Sequence, residues 1–241
     1  MRIGLVGYGK MGKEIEQVAI ERGHEISVIV NSSNPIDQAD FSSTDLVIEF
    51  STPSVILENI EFLIANHIPC VIGTTGWNEH LESIKDKVKQ SNGALVHASN
   101  FSIGVNLFFQ LNEQLAEIMN QHKDYYVSME EVHHTQKLDA PSGTAITLAE
   151  GVINNHEAVA DWNCPQSEKK QTFNGGLEIT AIRKEDVKGI HKICYTSPID
   201  KISIEHEAFS RKGFAMGAVV AAEWLIDKKG VFTMRDVLTI K

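Results

Sequence analysis

Short apolar runs alternate with longer amphipathic stretches along the first part of the chain. Residues 2–6, 25–30, 46–50, 70–72 and 94–98 are rich in Val, Ile and Leu and have the brevity of buried strands. Between them, residues 10–22, 54–66 and 78–91 repeat apolar positions at helical spacing, and Gly23 stops the first of these helices. Parallel neighbours need a crossover between them, so this regular alternation predicts a parallel, doubly wound α/β sheet.

The rhythm changes after about residue 104. A helix over 106–119, a strand over 125–133 and a helix over 145–153 precede strand-like runs at 177–183, 189–195 and 201–208. Those three runs are separated only by charged turns, which predicts an antiparallel sheet and an α+β region. Residues 155–176, rich in Asn, Gln, Lys and Gly, read as a long loop or lid. An apolar helix at 217–226 and a short one after Thr233 can return to the first region. The expected organisation is residues 1–104 with 216–241 as one domain and 105–215 as a smaller second domain. No internal repeat is present.

With 241 residues, 42% of them hydrophobic and 22% charged, the chain has the composition of an ordinary globular protein of one or two domains. Its net charge of -10 opposes nucleic-acid binding, which needs a basic surface. An anionic small molecule must therefore find local cations. Cys70, Cys164 and Cys194 have neither CxxC spacing nor an even count, so neither a disulfide framework nor a zinc site is indicated and a reducing compartment is expected. The opening apolar run is too short for a secretion signal, and no stretch approaches the roughly 20 apolar residues of a membrane span. A cytoplasmic, soluble protein is expected.

Gly7-Tyr8-Gly9-Lys10-Met11-Gly12 is a GxGxxG that follows a predicted strand and opens a predicted helix. In that context the first glycine permits a tight turn, the second lets a pyrophosphate approach the backbone, and the third allows close helix packing. A dinucleotide is the ligand this implies. Where NAD-preferring sites usually place a carboxylate after the second strand, this chain has Asn31, Ser32 and Ser33. With nothing there to repel a 2′-phosphate, NADPH is expected to be accepted at least as well as NADH. Gly73, Thr74 and Thr75 follow the 70–72 strand, and Ala98, Ser99, Asn100 and Phe101 lie at the end of the next one. Both are natural crevice walls, or else ordinary polar loops.

Glu131-Val132-His133-His134-Thr135-Gln136-Lys137-Leu138-Asp139-Ala140-Pro141-Ser142-Gly143-Thr144-Ala145 joins a predicted strand to a predicted helix. Ser142 is the candidate cap, and the amides of Gly143 and Thr144 sit where a carboxylate can bind. His133, His134 and Lys137 lie close enough upstream to converge if the chain bends. In a regular strand adjacent histidines point to opposite faces. Metal binding is disfavoured, because zinc spacings such as HExxH are missing, and Ser142 lacks the GxSxG setting of a hydrolytic serine.

The Glu-x-His-His-x-x-Lys-x-Asp-Ala-Pro-Ser-Gly-Thr-Ala segment resembles the signature of the 4-hydroxy-tetrahydrodipicolinate (dihydrodipicolinate) reductase family, and the likeness extends through the glycine loop to the whole chain. The resemblance implies a Rossmann-type domain for NADPH or NADH. It also implies a mixed-sheet α+β domain that binds a cyclic dicarboxylate and assembles homotetramers, in diaminopimelate and lysine biosynthesis. It further implies that His133 is the acid/base, Lys137 the proton donor, and His134, Gly143 and Thr144 the substrate-binding set. Gly7, Tyr8, Gly9, Lys10, Met11, Gly12, Ser32, Ser33, Gly73, Thr74, Thr75, Ala98, Ser99, Asn100 and Phe101 then face the cofactor. Arg211 resembles a basic position of the family, or is a solvated surface charge. Many members carry an acidic and a basic residue where Asn31 and Ser32 stand, which counts against a strict NADH preference. An amino-acid semialdehyde dehydrogenase would share the glycine-loop half without needing the His-His-x-x-Lys segment, and a non-catalytic NADPH sensor would not need Lys137.

Overall fold

A computed structural model describes residues 1–166 and 176–239 and divides the chain into two compact units, Met1–Ile103 with Arg211–Lys241, and Gly104–Ser210. In the first unit, β1 (Arg2–Val6), β2 (Glu25–Val30), β3 (Leu46–Glu49), β4 (Cys70–Ile72) and β5 (Ala94–His97) form a sheet with helices α1 (Lys10–Glu21), α2 (Ile56–Ala65) and α3 (Leu81–Gln90) between them. All pairings are parallel, and the spatial order, with the C-terminal strand (Gly230–Phe232) at one edge, is that strand, β5, β4, β3, β1, β2. The short apolar runs are unbroken because both faces are buried. Successive residues still divide strictly: Leu46, Ile48, Val71 and Val96 pack into one apolar layer, and Val47, Cys70, Ile72 and Leu95 into the other. α1 contributes Ile15, Val18 and Ala19 to the first layer, and α2 and α3 contribute Ile60, Leu63, Ile84 and Val88 to the second. The doubly wound sheet expected from the alternation is therefore present.

In the second unit, helix α4 (Ile103–Met119) leads to β6 (Tyr126–His133), helix α5 (Gly143–Asn155), and strands β7 (Trp162–Asn163), β8 (Leu177–Arg183), β9 (Ile190–Thr196) and β10 (Lys201–Glu207). The sheet order is β10-β9-β6-β8-β7. β10, β9 and β6 are antiparallel neighbours, but β8 runs parallel to β6, and β7 parallel to β8. The antiparallel expectation therefore holds for β9 and β10 and is corrected for β8, and the sheet as a whole is mixed, as the family resemblance implied. α5 carries the chain back before β8 begins, which is the crossover that a parallel pair requires. One face packs on α4 and α5 through Met129, Ile179, Ile193, Tyr195, Ala116, Leu148 and Val152. The stretch read as a loop over 155–176 contains β7, and its residues 167–175 lie outside the described ones.

The chain re-enters the first unit with α6 (Lys212–Leu225), which starts before residue 217 and buries Ala215, Ala218, Ala221 and Ala222. The edge strand β11 (Gly230–Phe232) and the helical turn α7 (Met234–Val237) follow. β11 was not anticipated, and at three residues it is too short to show a period.

Candidate active site

The glycine loop sits just beyond the carboxyl end of β1, between β1 and β3, where the strand order reverses and open α/β sheets bind ligands. Gly7 has φ +87, and a Cβ on it would lie 2.2 Å from the Phe50 carbonyl oxygen. A Cβ on Gly12 would lie 2.3 Å from the Gly7 carbonyl oxygen. Gly7 therefore lets the loop pass close against the end of β3, and Gly12 lets the loop fold tightly on itself. A Cβ on Gly9 would meet nothing within 4 Å, which is the open space a ligand lying on the backbone needs. Gly9 caps α1 without a side-chain acceptor, and the first turn holds no acidic residue. The helix start thus offers N–H groups and positive dipole to an anion with no internal carboxylate competing for them. These features fit a dinucleotide pyrophosphate.

A cavity of 240 Å³ adjoins this loop, lined by Met11, Phe50, Ser51, Pro53, Gly73, Thr74 and Thr75. Four of these residues belong to the predicted set; Phe50, Ser51 and Pro53 were missed. Thr74 is a structural wall, because its Oγ1 accepts from the Ser51 amide at 2.8 Å and its carbonyl accepts from Trp77 Nε1 at 2.9 Å. Beneath it, fully buried Glu49 accepts from the Ser51 hydroxyl, the Ser51 amide (3.1 Å) and Asn59 (3.2 Å). Burial, only partly offset by those hydrogen bonds, raises its pKa. Lys10 is exposed, and the Tyr8 hydroxyl donates to the Glu16 carboxylate. Of the 98–101 loop, Ser99 is exposed and Ala98 half-buried, whereas Phe101 is 2% exposed in the core against the Phe50 ring. Ser32 and Ser33 sit in an exposed turn closed by Asn31, whose Oδ1 accepts from the Ser33 amide at 2.8 Å. A larger cavity, 420 Å³ and lined by Lys85, Lys89 and Lys229 among others, lies at the opposite, amino ends of β5 and β11.

In the second unit, β6 delivers Glu131 and His133 to one end of the sheet, and the chain then turns, with the Lys137 amide donating to the His134 carbonyl at 3.1 Å. This is the bend that the His/Lys cluster needed. Ser142 caps α5, its Oγ accepting from the Ala145 amide at 3.2 Å, while Gly143 is exposed and Thr144 half-buried at the helix start. Lys137 Nζ pairs with Asp139 at 2.8 Å, and although partial burial opposes it, this contact holds the Asp139 carboxyl below its ordinary pKa. His134 points a buried Nδ1 at no partner among the described residues.

The centre of this cluster is Glu131, which is fully buried. Both its oxygens accept from the Ser142 amide at 3.1 Å, and Oε1 faces the Arg183 guanidinium at 3.4 Å. Its Oε2 lies 3.5 Å from His133 Nδ1 and 3.7 Å from His191 Nε2. The two imidazoles stack edge-to-face at 5.1 Å, and His191 Nε2 is 3.2 Å from Ser142 Oγ. Burial is the main reason both titrate low, and His191 is pushed down to about 3; the Lys137 charge adds to the effect on each. Both rings are therefore neutral near pH 7. Among the described residues, Glu131, His133 and His191 are the one group of ligand atoms close enough to hold a metal ion. The cation on that carboxylate is already Arg183. Sequence reasoning overlooked Glu131, Arg183 and His191 as site residues. Arg211, the predicted basic residue, is an exposed cap at the start of α6.

A doubly wound parallel sheet with a GxGxxG loop at its switch point is the form of a nicotinamide-dependent oxidoreductase, the class to which the relatives of this chain belong. Family models of dihydrodipicolinate reductase match both parts of the chain, the N-terminal one over residues 1–101 and the C-terminal one over 104–238. The chain belongs to the dihydrodipicolinate reductase family, as the His-His-x-x-Lys segment implied. It is 44% identical over 241 residues to the 4-hydroxy-tetrahydrodipicolinate reductase of Christiangramia forsetii, covering 99% of this chain and 98% of that one. Identity to the Rickettsia rickettsii protein of the same name is 33% over 245 residues, with both chains covered in full at 100%. In fold, the chain is similar to a dipicolinate-bound dihydrodipicolinate reductase from Paenisporosarcina sp. TG-14, with TM-score 0.78, 21% identity and coverage of 100% and 99%. Aspartate semialdehyde dehydrogenase II from Vibrio cholerae shares the fold more distantly, with TM-score 0.51, 10% identity and coverage of 92% and 97%.

Proposed function

We propose that this enzyme reduces 4-hydroxy-tetrahydrodipicolinate, through dihydrodipicolinate, to tetrahydrodipicolinate in diaminopimelate and lysine biosynthesis. The observation that supports this reading is the path of the Glu131–Ser142 segment on the second unit, where His133 lies beside the buried Glu131 carboxylate that accepts from the Ser142 amide at the start of α5, and Lys137 stands on the turn between them. A bound nicotinamide supplies a hydride to C4 of the conjugated imine. The electron-rich enamine that results must be protonated at C3, and Lys137 is the donor we assign to that step. His133, held neutral near pH 7 by burial, puts no second positive charge beside Lys137 at rest, and it can relay a proton by taking it on one ring nitrogen and losing one from the other. One substrate carboxylate binds the amides of Gly143 and Thr144 at the start of α5, and His134 helps hold the ring. When a carboxylate arrives, Asp139 must yield the Lys137 ammonium, and its exposed position makes that exchange cheap.

We assign the dinucleotide to the loop of Gly7, Tyr8, Gly9, Lys10, Met11 and Gly12, with Gly73, Thr74, Thr75, Ala98, Ser99, Asn100 and Phe101 as walls and inner support. NADPH is the preferred form in this reading, because the exposed turn of Asn31, Ser32 and Ser33 presents hydroxyls and no carboxylate to a 2′-phosphate. The face of the second sheet turned away from α4 and α5, carrying Tyr126 at 76% exposure and Ile182 at 37%, is the surface we assign to a homotetramer. The three free thiols, Cys70, Cys164 and Cys194, suit the cytoplasm. The test follows NADPH oxidation at 340 nm with substrate generated in situ by the preceding synthase, with NADH in parallel. Rapid, substrate-dependent oxidation with NADPH ahead is expected. A folded, NADPH-binding protein that oxidises none would overturn the assignment, and equal or better efficiency with NADH would remove the cofactor preference.

A further inference from the structure

The turn that carries Lys137 has little to hold it by packing. Leu138, at its tip, is 96% exposed, so no apolar burial anchors the segment. Its anchor is polar and comes from β8: Arg183 Nε donates to the Lys137 carbonyl at 3.2 Å, and Arg183 Nη2 donates to the Asp139 carbonyl at 2.6 Å. Nη1 donates to the Ile182 carbonyl at 2.9 Å, and the guanidinium rests on the buried Glu131 carboxylate at 3.4 to 3.5 Å. One planar group thus bridges two rigid neighbouring strands, β6 and β8, to the carbonyls on either side of Leu138. Only a guanidinium offers donors in a fixed fork that can meet these acceptors together; an ammonium is a single point.

We propose that Arg183 is a positioning residue for the reduction, clamping the main chain at residues 137 and 139 to Glu131 so that the Lys137 ammonium is held where the proton must be delivered. The proposal rests on the reading of Lys137 as the proton donor. Arg183 acts through the backbone, so it sets where the lysine stands rather than donating the proton itself. Glu131 is its counter-charge and, through the Ser142 amide, ties the same clamp to the start of α5. A displacement of about 1 Å of a catalytic group costs on the order of 10²-fold in rate, which is the effect expected from losing the clamp.

The experiment is a double-mutant cycle on the full chain, reading single-turnover rates, NADPH affinity and thermal midpoint. R183Q is expected to lower the rate 10- to 100-fold with NADPH affinity unchanged, and R183K is expected to rescue little of it. In a K137A background the same R183Q change should cost less than about 2-fold, because the group being positioned is gone. E131Q/R183Q, which leaves no buried charge stranded, should regain a near-wild-type melting point but not the lost rate. A wild-type rate in R183Q, an equal fold-loss with and without Lys137, or full recovery of rate in E131Q/R183Q would each overturn the clamp while leaving the reading of Lys137 intact. Near-normal turnover by K137A alone would instead overturn that reading.

Discussion

Replacing Lys137 with Ala separates chemistry from stability. The Lys137–Asp139 contact is 2.8 Å long, but the side chains are 23% and 58% exposed, so its loss should cost under about 1 kcal/mol of folding stability. The Arg183 bond to this residue is made to its carbonyl oxygen, which alanine keeps. The NADPH affinity should hold because the glycine-loop cradle belongs to the other unit. If Lys137 donates the C3 proton, turnover falls about 10²- to 10⁴-fold, equivalent to roughly 2.7–5.4 kcal/mol of barrier. The assay pairs initial rates at saturating NADPH with a dinucleotide titration and a thermal melt. Turnover within about 3-fold of wild type would refute the donor assignment. A melting point that collapses along with turnover would show that the exposed ion pair carries structural weight this geometry does not give it.

His133→Ala should lower kcat, whereas His134→Ala should chiefly raise KM for the dicarboxylate; steady-state kinetics showing the reverse pattern would exchange the two roles. Gly12→Ala places a Cβ 2.3 Å from the Gly7 carbonyl oxygen, so the loop must open. We expect NADPH affinity at least 10-fold weaker and a stability loss of about 1–3 kcal/mol, checked by titration and urea unfolding, and unchanged affinity would mean the loop does not set the cofactor site. Folding stability should decline on acidification. His191 titrates near 3 in the folded protein against 6.5 ordinarily, so below about pH 6.5 the unfolded chain binds the extra proton. The loss from this group is about 1.4 kcal/mol per pH unit between those values, with His133 adding in the same direction. Urea melts at pH 7 and pH 5 read it directly, and equal or greater stability at pH 5 would contradict neutral, buried imidazoles at this site.

The sequence by itself determined the Rossmann-type unit, because local rules govern it. Apolar runs of strand length, helical periodicity between them and a GxGxxG at a strand–helix junction each need only neighbouring residues to be read. The bounds of β2, β4 and β8 coincided with the predicted runs, and the motif from Glu131 to Ala145 carried the family. What the tertiary structure decided was pairing and partnership at long range. β11 has three residues, too few for a period, and becomes a strand only because β5 offers an open edge. β8 lies parallel to β6 because α5 intervenes, a fact about chain path that the residues of β8 do not encode. His133, His134 and Lys137 stood out in sequence by their spacing. Arg183 and His191 did not, since Arg183 reaches the Lys137 carbonyl across 46 residues and His191 meets Ser142 across 49. A cation in a strand and a histidine in a strand look ordinary until the fold brings both against Glu131, whose own charge could be buried only once those partners were in place.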